Sequence, residues 1–167
     1  MRIGIGYDVH PFDPNRALVI GGVRIEGTWG LRGHSDADVL LHAIGDACLG
    51  AAALGDLGEH FPDSDPTWRG APSAVLLARI LELVRAKGLV PGNVDATVIA
   101  ERPRLSPFRQ AMRERIAELM ALPLDRVSVK ASTNNGLGSI GRVEGVAAMA
   151  VVLLEEGGPT TSAPDAP

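Results

Sequence analysis

This 167-residue chain has one cysteine, few aromatic side chains, only four histidines and no block of like charge. With Cys48 alone, no disulfide can form within the chain, and a reducing compartment is expected. Cys48 lies in an alanine-rich stretch, where a small buried hydrophobe is its expected role. Two tryptophans, one tyrosine and three phenylalanines make up 4% of the residues, too few for a base-stacking surface. Sixteen basic against twenty acidic residues give a net charge of −4 without a basic patch, so nucleic acid is not an expected partner. No apolar run approaches a membrane span, and the first ten residues, MRIGIGYDVH, lack the apolar core of a signal peptide. A cytoplasmic protein without a membrane partner is expected.

What the chain does have is a 46% hydrophobic content, ample for one core. Residues 1–156 read as a single α+β domain, and residues 157–167 (GGPTTSAPDAP) have the composition of a disordered tail. Residues 2–7 alternate like a strand, with Ile3, Ile5 and Tyr7 on one face and Gly4, Gly6 and Asp8 on the other. Residues 17–20 and 23–25 flank Gly21-Gly22, a hairpin pattern. A helix is expected after Ser35 to about residue 53, with Ser35 and Asp38 as a capping box. A second is expected over residues 72–87, and a third opening with Ser106 as N-cap and Pro107 in its first turn, burying Phe108, Met112, Ile116 and Leu119. Strands are expected over residues 94–100, 127–131 and 144–154. The segment 56–65 (DLGEHFPDSD) reads as a polar loop too acidic and broken for the core. The sheet is expected to be mixed, with helices on one face. Its last strand is apolar on both faces, which calls for a second cover: another subunit, or a sandwiched position within the monomer.

Asp8, His10 and His42 stand out because histidine is scarce. Two imidazoles and one carboxylate suit a zinc site that keeps one position open. Asp38 and Asp46 stand one helical turn either side of His42, and either could accept from its free ring nitrogen. His34 and Ser35, read at a helix N-terminus, suit a phosphate oxygen, although Ser35 also serves as a cap. Asp56, Glu59, Asp63 and Asp65 could take a sugar hydroxyl or a hydrated cation, or be a solvated loop. Residues 100–107 (AERPRLSP) could cradle a base, or be ordinary helix-start chemistry. Residues 132–138 (STNNGLG) offer hydroxyls and amides but form no Walker motif.

DVH at 8–10, IGGVRI at 20–25, GHSDADVLLHAIGDACLGAAALGDLGEHFPDSDP at 33–66, GNVDATVIAERPRLSP at 92–107 and VKAST with LGSIGRVEG at 129–145 resemble the 2-C-methyl-D-erythritol 2,4-cyclodiphosphate synthase family of the non-mevalonate isoprenoid pathway. The resemblance implies a homotrimer with sheets facing inward, helices outside and sites at subunit interfaces. It also implies a lyase reaction: 4-diphosphocytidyl-2-C-methyl-D-erythritol 2-phosphate closes on itself and expels CMP. The nucleophile is the substrate's own phosphate, so positioning and electrostatics carry the catalysis.

By resemblance, one zinc ion sits on Asp8, His10 and His42, while His34 and Thr133 steady the transition state. Val9, Ser35, Leu57, Ser132, Asn134 and Ser139 contact substrate. Asp56 and Gly58 hold ribose or erythritol hydroxyls, and Phe61, Pro62, Asp63, Ser64 and Asp65 close over the methylerythritol. Ala100, Pro103, Arg104, Leu105 and Ser106 recognise cytosine, and magnesium or manganese bridges the diphosphate. Asn135 stands where many members carry a glutamate for that second cation. Arg104 stands where lysine is common, and Phe108 where histidine is frequent. Arg142 and Glu144 line one end of the trimer channel, where an isoprenoid diphosphate could bind, or where the pair stabilises the trimer. The residues alone also admit a metal-dependent phosphohydrolase, or a binding trimer whose structural metal has a fourth protein ligand.

Overall fold

The computed structural model describes residues 1–157. The expectation of a disordered tail falls almost wholly outside them. In chain order the elements are β1 (Arg2–Asp13), β2 (Leu18–Ile20), β3 (Val23–Ile25), β4 (Gly30–Leu31), α1 (Val39–Ala51), α2 (Leu57–His60), α3 (Ser73–Ala86), β5 (Leu89–Ile99), α4 (Arg109–Met120), β6 (Val127–Ser132), α5 (Gly138–Gly141) and β7 (Gly145–Glu156). Five strands form one mixed sheet in the order β4-β1-β7-β5-β6, with β5 and β6 parallel and the other pairs antiparallel. Strands β2 and β3 form the hairpin expected around Gly21-Gly22, both glycines at positive φ.

Helices α1, α3 and α4 pack on one face of this sheet, as expected. Val146, Ala148, Ala150 and Val152 of β7 lie beneath them at 0–1% exposure. Most of the opposite face is exposed, although Ala147 at its α5 end is 2% exposed. Ile3, Ile5, Tyr7 and Val9 of β1 run alongside Leu153, Val151, Met149 and Ala147 of β7. Ile3 is 73% exposed, Ile5 66%, and even central Val151 43%. From Ile3 to Val9 and at Met149 and Val151 no element of the described chain covers that face, so β7 is not a strand sandwiched within the monomer.

On β1 the covered face is the glycine face. A Cβ on Gly4 would stand 1.9 Å from the Ala47 carbonyl oxygen, and one on Gly6 2.0 Å from that of Ala43. The two glycines meet Ala43, Ala47 and Ala51, spaced four apart along α1, so helix and strand approach closely. β1 also runs well past the expected end at residue 7, because its pairing with β7 continues to Pro11↔Gly145. Asp8 and His10 therefore lie inside the strand, on the side facing α1.

α1 starts at Val39, later than expected. Asp38 is the N-cap itself, accepting from the N–H groups of Leu40 and Leu41 at 3.1 and 3.0 Å, whereas Ser35 turns elsewhere. Asp38 also accepts from Gly21 N (2.8 Å) and Gly22 N (2.6 Å), tying the hairpin turn to the helix start. Burial pushes its carboxyl up to about 6, against the N–H groups of Gly22, Leu41 and Gly21, which pull it down. Replacing Asp38 with alanine leaves four N–H groups without this acceptor. We expect a loss of about 3 kcal/mol, read as a lower urea midpoint at unchanged slope.

Three smaller differences have local causes. The acidic segment does reach the core: Phe61 is 7% exposed and packs edge-on against Trp68 at 4.9 Å. β5 begins at Leu89, and an irregularity between Pro91 and Asn93 accommodates the missing proline N–H. A 3-10 turn, Ser106–Phe108, precedes α4, so Ser106 lies within that turn and does not cap it; of the expected inward residues Met112 and Ile116 are buried, while Phe108 and Leu119 are half-buried. Cys48 is fully buried, and burial pushes its thiol up to about 12, in keeping with a small hydrophobe.

Candidate active site

β1 and α1 bring Asp8, His10 and His42 to one point. Asp8 Oδ2 lies 2.9 Å from His10 Nε2 and 2.9 Å from His42 Nδ1, and the two ring nitrogens are 3.1 Å apart. Ligand atoms about 2.0–2.2 Å from a tetrahedral zinc stand roughly 3.4 Å apart. The observed triangle thus accepts zinc with a few tenths of an ångström of spreading. Among the described residues this is the one group that could hold a metal ion, and no fourth protein ligand joins it. A closed structural site would need a fourth ligand, which the described residues of this chain do not supply.

The electrostatics point the same way. Burial alone would raise Asp8, but hydrogen bonds from His10 and His42 and their charge outweigh it, holding its carboxyl well below the usual range. Burial likewise lowers His42, while the hydrogen bond and charge of Asp8, with Asp38 and Asp36 behind it, raise it above its ordinary value. Positive charge is favoured where the three atoms meet.

The far side of His42 differs from expectation. Its Nε2 faces Ser73 Oγ at 2.9 Å and Ser35 Oγ at 3.0 Å, not Asp38 or Asp46. Asp38 is committed to the backbone, and Asp46 accepts from Leu57 N at 2.8 Å. Ser73 carried no chemical mark in the sequence, where it reads as a residue of a helix start. Only the docking of α3 on α1 brings it here.

His34 and Ser35 lie on the turn before α1 rather than at its N-terminus, whose first N–H groups Asp38 has taken. His34 Nε2 stands 3.1 Å from the Asp65 carbonyl oxygen. Arg16 clamps the same turn, its guanidinium donating to the carbonyls of Gly33 and Ser35.

A cleft of about 360 Å³ opens over the triad, lined also by Gly33, His34, Ser35, Asp46, Leu57, Gly58, Phe61, Asp63, Trp68 and Leu76. Of these, Gly33, Trp68 and Leu76 were not singled out in the sequence. Asp56 and Asp65 cap short helical turns, accepting from Glu59 N and Thr67 N, while Pro62 and Ser64 are exposed. Val9 points to the bare side of the sheet, 45% exposed. Ala100, Pro103, Arg104, Leu105, Ser106, Ser132 and Thr133 line a different cleft, of about 330 Å³, with Glu101 and Ala131. The two clefts share no residue. Asn134 and Asn135 lie on the turn beyond Thr133, where Thr133 Oγ1 donates to Asn135 Oδ1 at 3.3 Å. That turn is tied back to the second cleft by Glu101, which accepts from Gly136 N at 3.0 Å. Ser139 lies in α5, and Arg142 pairs with Glu144 at 2.7 Å on the surface.

Residues 1–155 match the family model described as the YgbB family. The 2-C-methyl-D-erythritol 2,4-cyclodiphosphate synthase of Ectopseudomonas mendocina is 58% identical over 154 residues, 92% of this chain and 98% of that one. Its counterpart from Thermosynechococcus vestitus is 54% identical over 157 residues, 94% of this chain and 98% of that one. A solved 2C-methyl-D-erythritol-2,4-cyclodiphosphate synthase in its CDP-bound form aligns with TM-score 0.85 and 40% identity, over 92% of this chain and 100% of that one.

Proposed function

Because the chain belongs to the YgbB family, we infer that it is a 2-C-methyl-D-erythritol 2,4-cyclodiphosphate synthase, a lyase of isoprenoid biosynthesis. It converts 4-diphosphocytidyl-2-C-methyl-D-erythritol 2-phosphate to the cyclic diphosphate and CMP. An oxygen of the 2-phosphate forms a bond to the β-phosphorus as the bond from that phosphorus to the bridging oxygen breaks and CMP leaves with it. The attacking oxygen is already anionic, so no side chain has to remove a proton, and the protein's work is positioning and charge stabilisation.

The observation that carries this reading is the Asp8–His10–His42 triangle opening on the cleft that also holds His34. Zinc, one ion per site, is the metal this donor set supports. Bound there, it supplies a Lewis acid against the β-phosphate. His34 and Thr133 present an imidazole and a hydroxyl to the charge that builds during attack. The backbone at Ser35, held by Arg16, supports the phosphates. Leu57, Gly58 and the segment 61–65 enclose the methylerythritol. The second cleft, with Ala100, Pro103, Arg104, Leu105 and Ser106, takes the cytosine, and the CDP-bound relative supports a cytidine nucleotide as ligand. Magnesium or manganese, when bound with the substrate, would neutralise charge on its diphosphate. Asn135 is neutral and already accepts from Thr133, so it would be a weak ligand for such a cation.

A homotrimer with sheets facing inward covers the bare apolar face of β1 and β7. It also gives two clefts that share no residue a way to meet across an interface. An isoprenoid diphosphate at the channel end would have to compete with Glu144 for Arg142.

Incubation with the cytidylyl substrate, zinc and magnesium is expected to release CMP and the cyclic diphosphate in equal amounts. Chelation should stop turnover and added zinc restore it. Inorganic phosphate or an opened diphosphate as the product would instead identify a phosphohydrolase.

A further inference from the structure

His42 stands between two carboxylates that want its proton on opposite nitrogens. On the cleft side, Asp8 Oδ2 lies 2.9 Å from Nδ1, where a neutral imidazole would naturally place its N–H. That tautomer has no lone pair on Nδ1, the nitrogen that faces Asp8 and His10. On the far side, Ser73 Oγ lies 2.9 Å from Nε2. Ser73 also makes a short hydrogen bond to Asp36 Oδ1, and its backbone N–H donates to Asp36 Oδ2 at 3.0 Å.

We propose that Ser73 and Asp36 are positioning residues that keep the His42 proton on Nε2 and so leave Nδ1 free to coordinate metal. The direction follows from the chemistry of the groups. A carboxylate has no proton to give, so the Ser73 hydroxyl donates to Asp36. The lone pairs of Ser73 Oγ are then left facing His42 Nε2 at 2.9 Å and the Ser35 hydroxyl at 3.4 Å, and the closer of the two is satisfied by an Nε2–H. Ser35 Oγ accepts the Ala37 N–H, and with its own hydrogen turned to Ser73 Oγ at 3.4 Å it offers a second acceptor to the same proton, 3.0 Å from Nε2. Ser73 is 1% and Ser35 4% exposed, so bulk water does not substitute for either hydroxyl. Outer partners of this kind fix the tautomer and orientation of a ligating imidazole. Asp36 reaches the ring only through the serine, which is why no carboxylate placed by helical spacing fills the role.

The inference rests on Asp8, His10 and His42 being the metal ligands, and the test separates the two. In the metal-free full-length protein, with its histidines ¹⁵N-labelled and at a pH where the ring is neutral, His42 should show the Nε2–H pattern. Ser73→Ala should shift it towards Nδ1–H. Zinc affinity, read by competition with a chromophoric chelator, should fall about ten- to a hundredfold in Ser73→Ala. Asp36→Asn should lose less, because its amide still offers Ser73 an acceptor but can also turn a donor towards it. If Ser73→Ala does not fold, Asp36→Asn and the parent spectrum decide. An Nδ1–H parent, or folded variants that bind zinc as tightly as the parent, overturns the proposal. A parent that binds no zinc overturns the ligand assignment itself, and this inference with it.

Discussion

His42→Ala should cut kcat/KM for CMP release by on the order of 10³-fold or more and strip the bound zinc. Losing a Lewis acid removes several kcal/mol of transition-state stabilisation, which at 1.4 kcal/mol per decade gives that scale. Asp8 and His10 would remain, but two ligands hold a divalent ion far more weakly than three. The fold should survive, because the core-facing residues of α1 are Leu40, Leu41, Ile44 and Cys48 and the imidazole looks into the cleft. Metal content by emission spectroscopy, with a thermal melt as control, separates the cases. Zinc retained at parent stoichiometry with turnover gone would move His42 from ligand to substrate contact.

A single methyl group at Gly6 should do comparable damage by another route. The added Cβ would stand 2.0 Å from the Ala43 carbonyl oxygen and 2.8 Å from Ala47 N, both rigid backbone. Overpacking in a core usually costs about 1–3 kcal/mol because side chains give way. Here α1 as a whole would have to rise from the sheet, so about 4 kcal/mol or more is expected for Gly6→Ala. Gly50 supplies the contrast. It lies in the same helix with open space around its Cβ position, the nearest atom being Ile5 O at 4.0 Å. Gly50→Ala should therefore raise the melting temperature, helix propensity adding roughly 0.5–1 kcal/mol. A Gly6→Ala protein that melts with the parent would show that the helix–strand spacing does not depend on the missing side chain.

Much of the site was legible because its residues are rare types at telling intervals. Two of the four histidines and an aspartate, with Asp8 and His10 two residues apart on one strand face, required only that the strand continue past Tyr7. The order of the helices and the hairpin followed from apolar period and from Gly21-Gly22. The failures have one physical origin, since each involves a partner outside the element or segment in which the residue was read. Asp38 caps α1 because the Gly21-Gly22 turn docks on it, which spacing within one helix does not reveal. Ser73 meets His42 only when two helices pack. Phe61 enters the core from an acidic segment because Trp68 folds back to meet it. The burial sense of β1 was likewise undetermined, since the covered face is the glycine one and the apolar face waits for something the single chain does not contain.

The one parallel pair in the sheet, β5 and β6, ends with both strands pointing the same way, at Ile99 and Ser132. The loops that line the second cleft leave from these two neighbouring strand ends. The gauge of that crevice is therefore set by the inter-strand spacing of about 4.8 Å, a backbone constant, and the Glu101–Gly136 tie holds the loop and turn beyond it together. Side chains such as Arg104 can change what the crevice recognises without changing how wide it is. Its selectivity can drift residue by residue while its dimensions stay fixed by main-chain pairing.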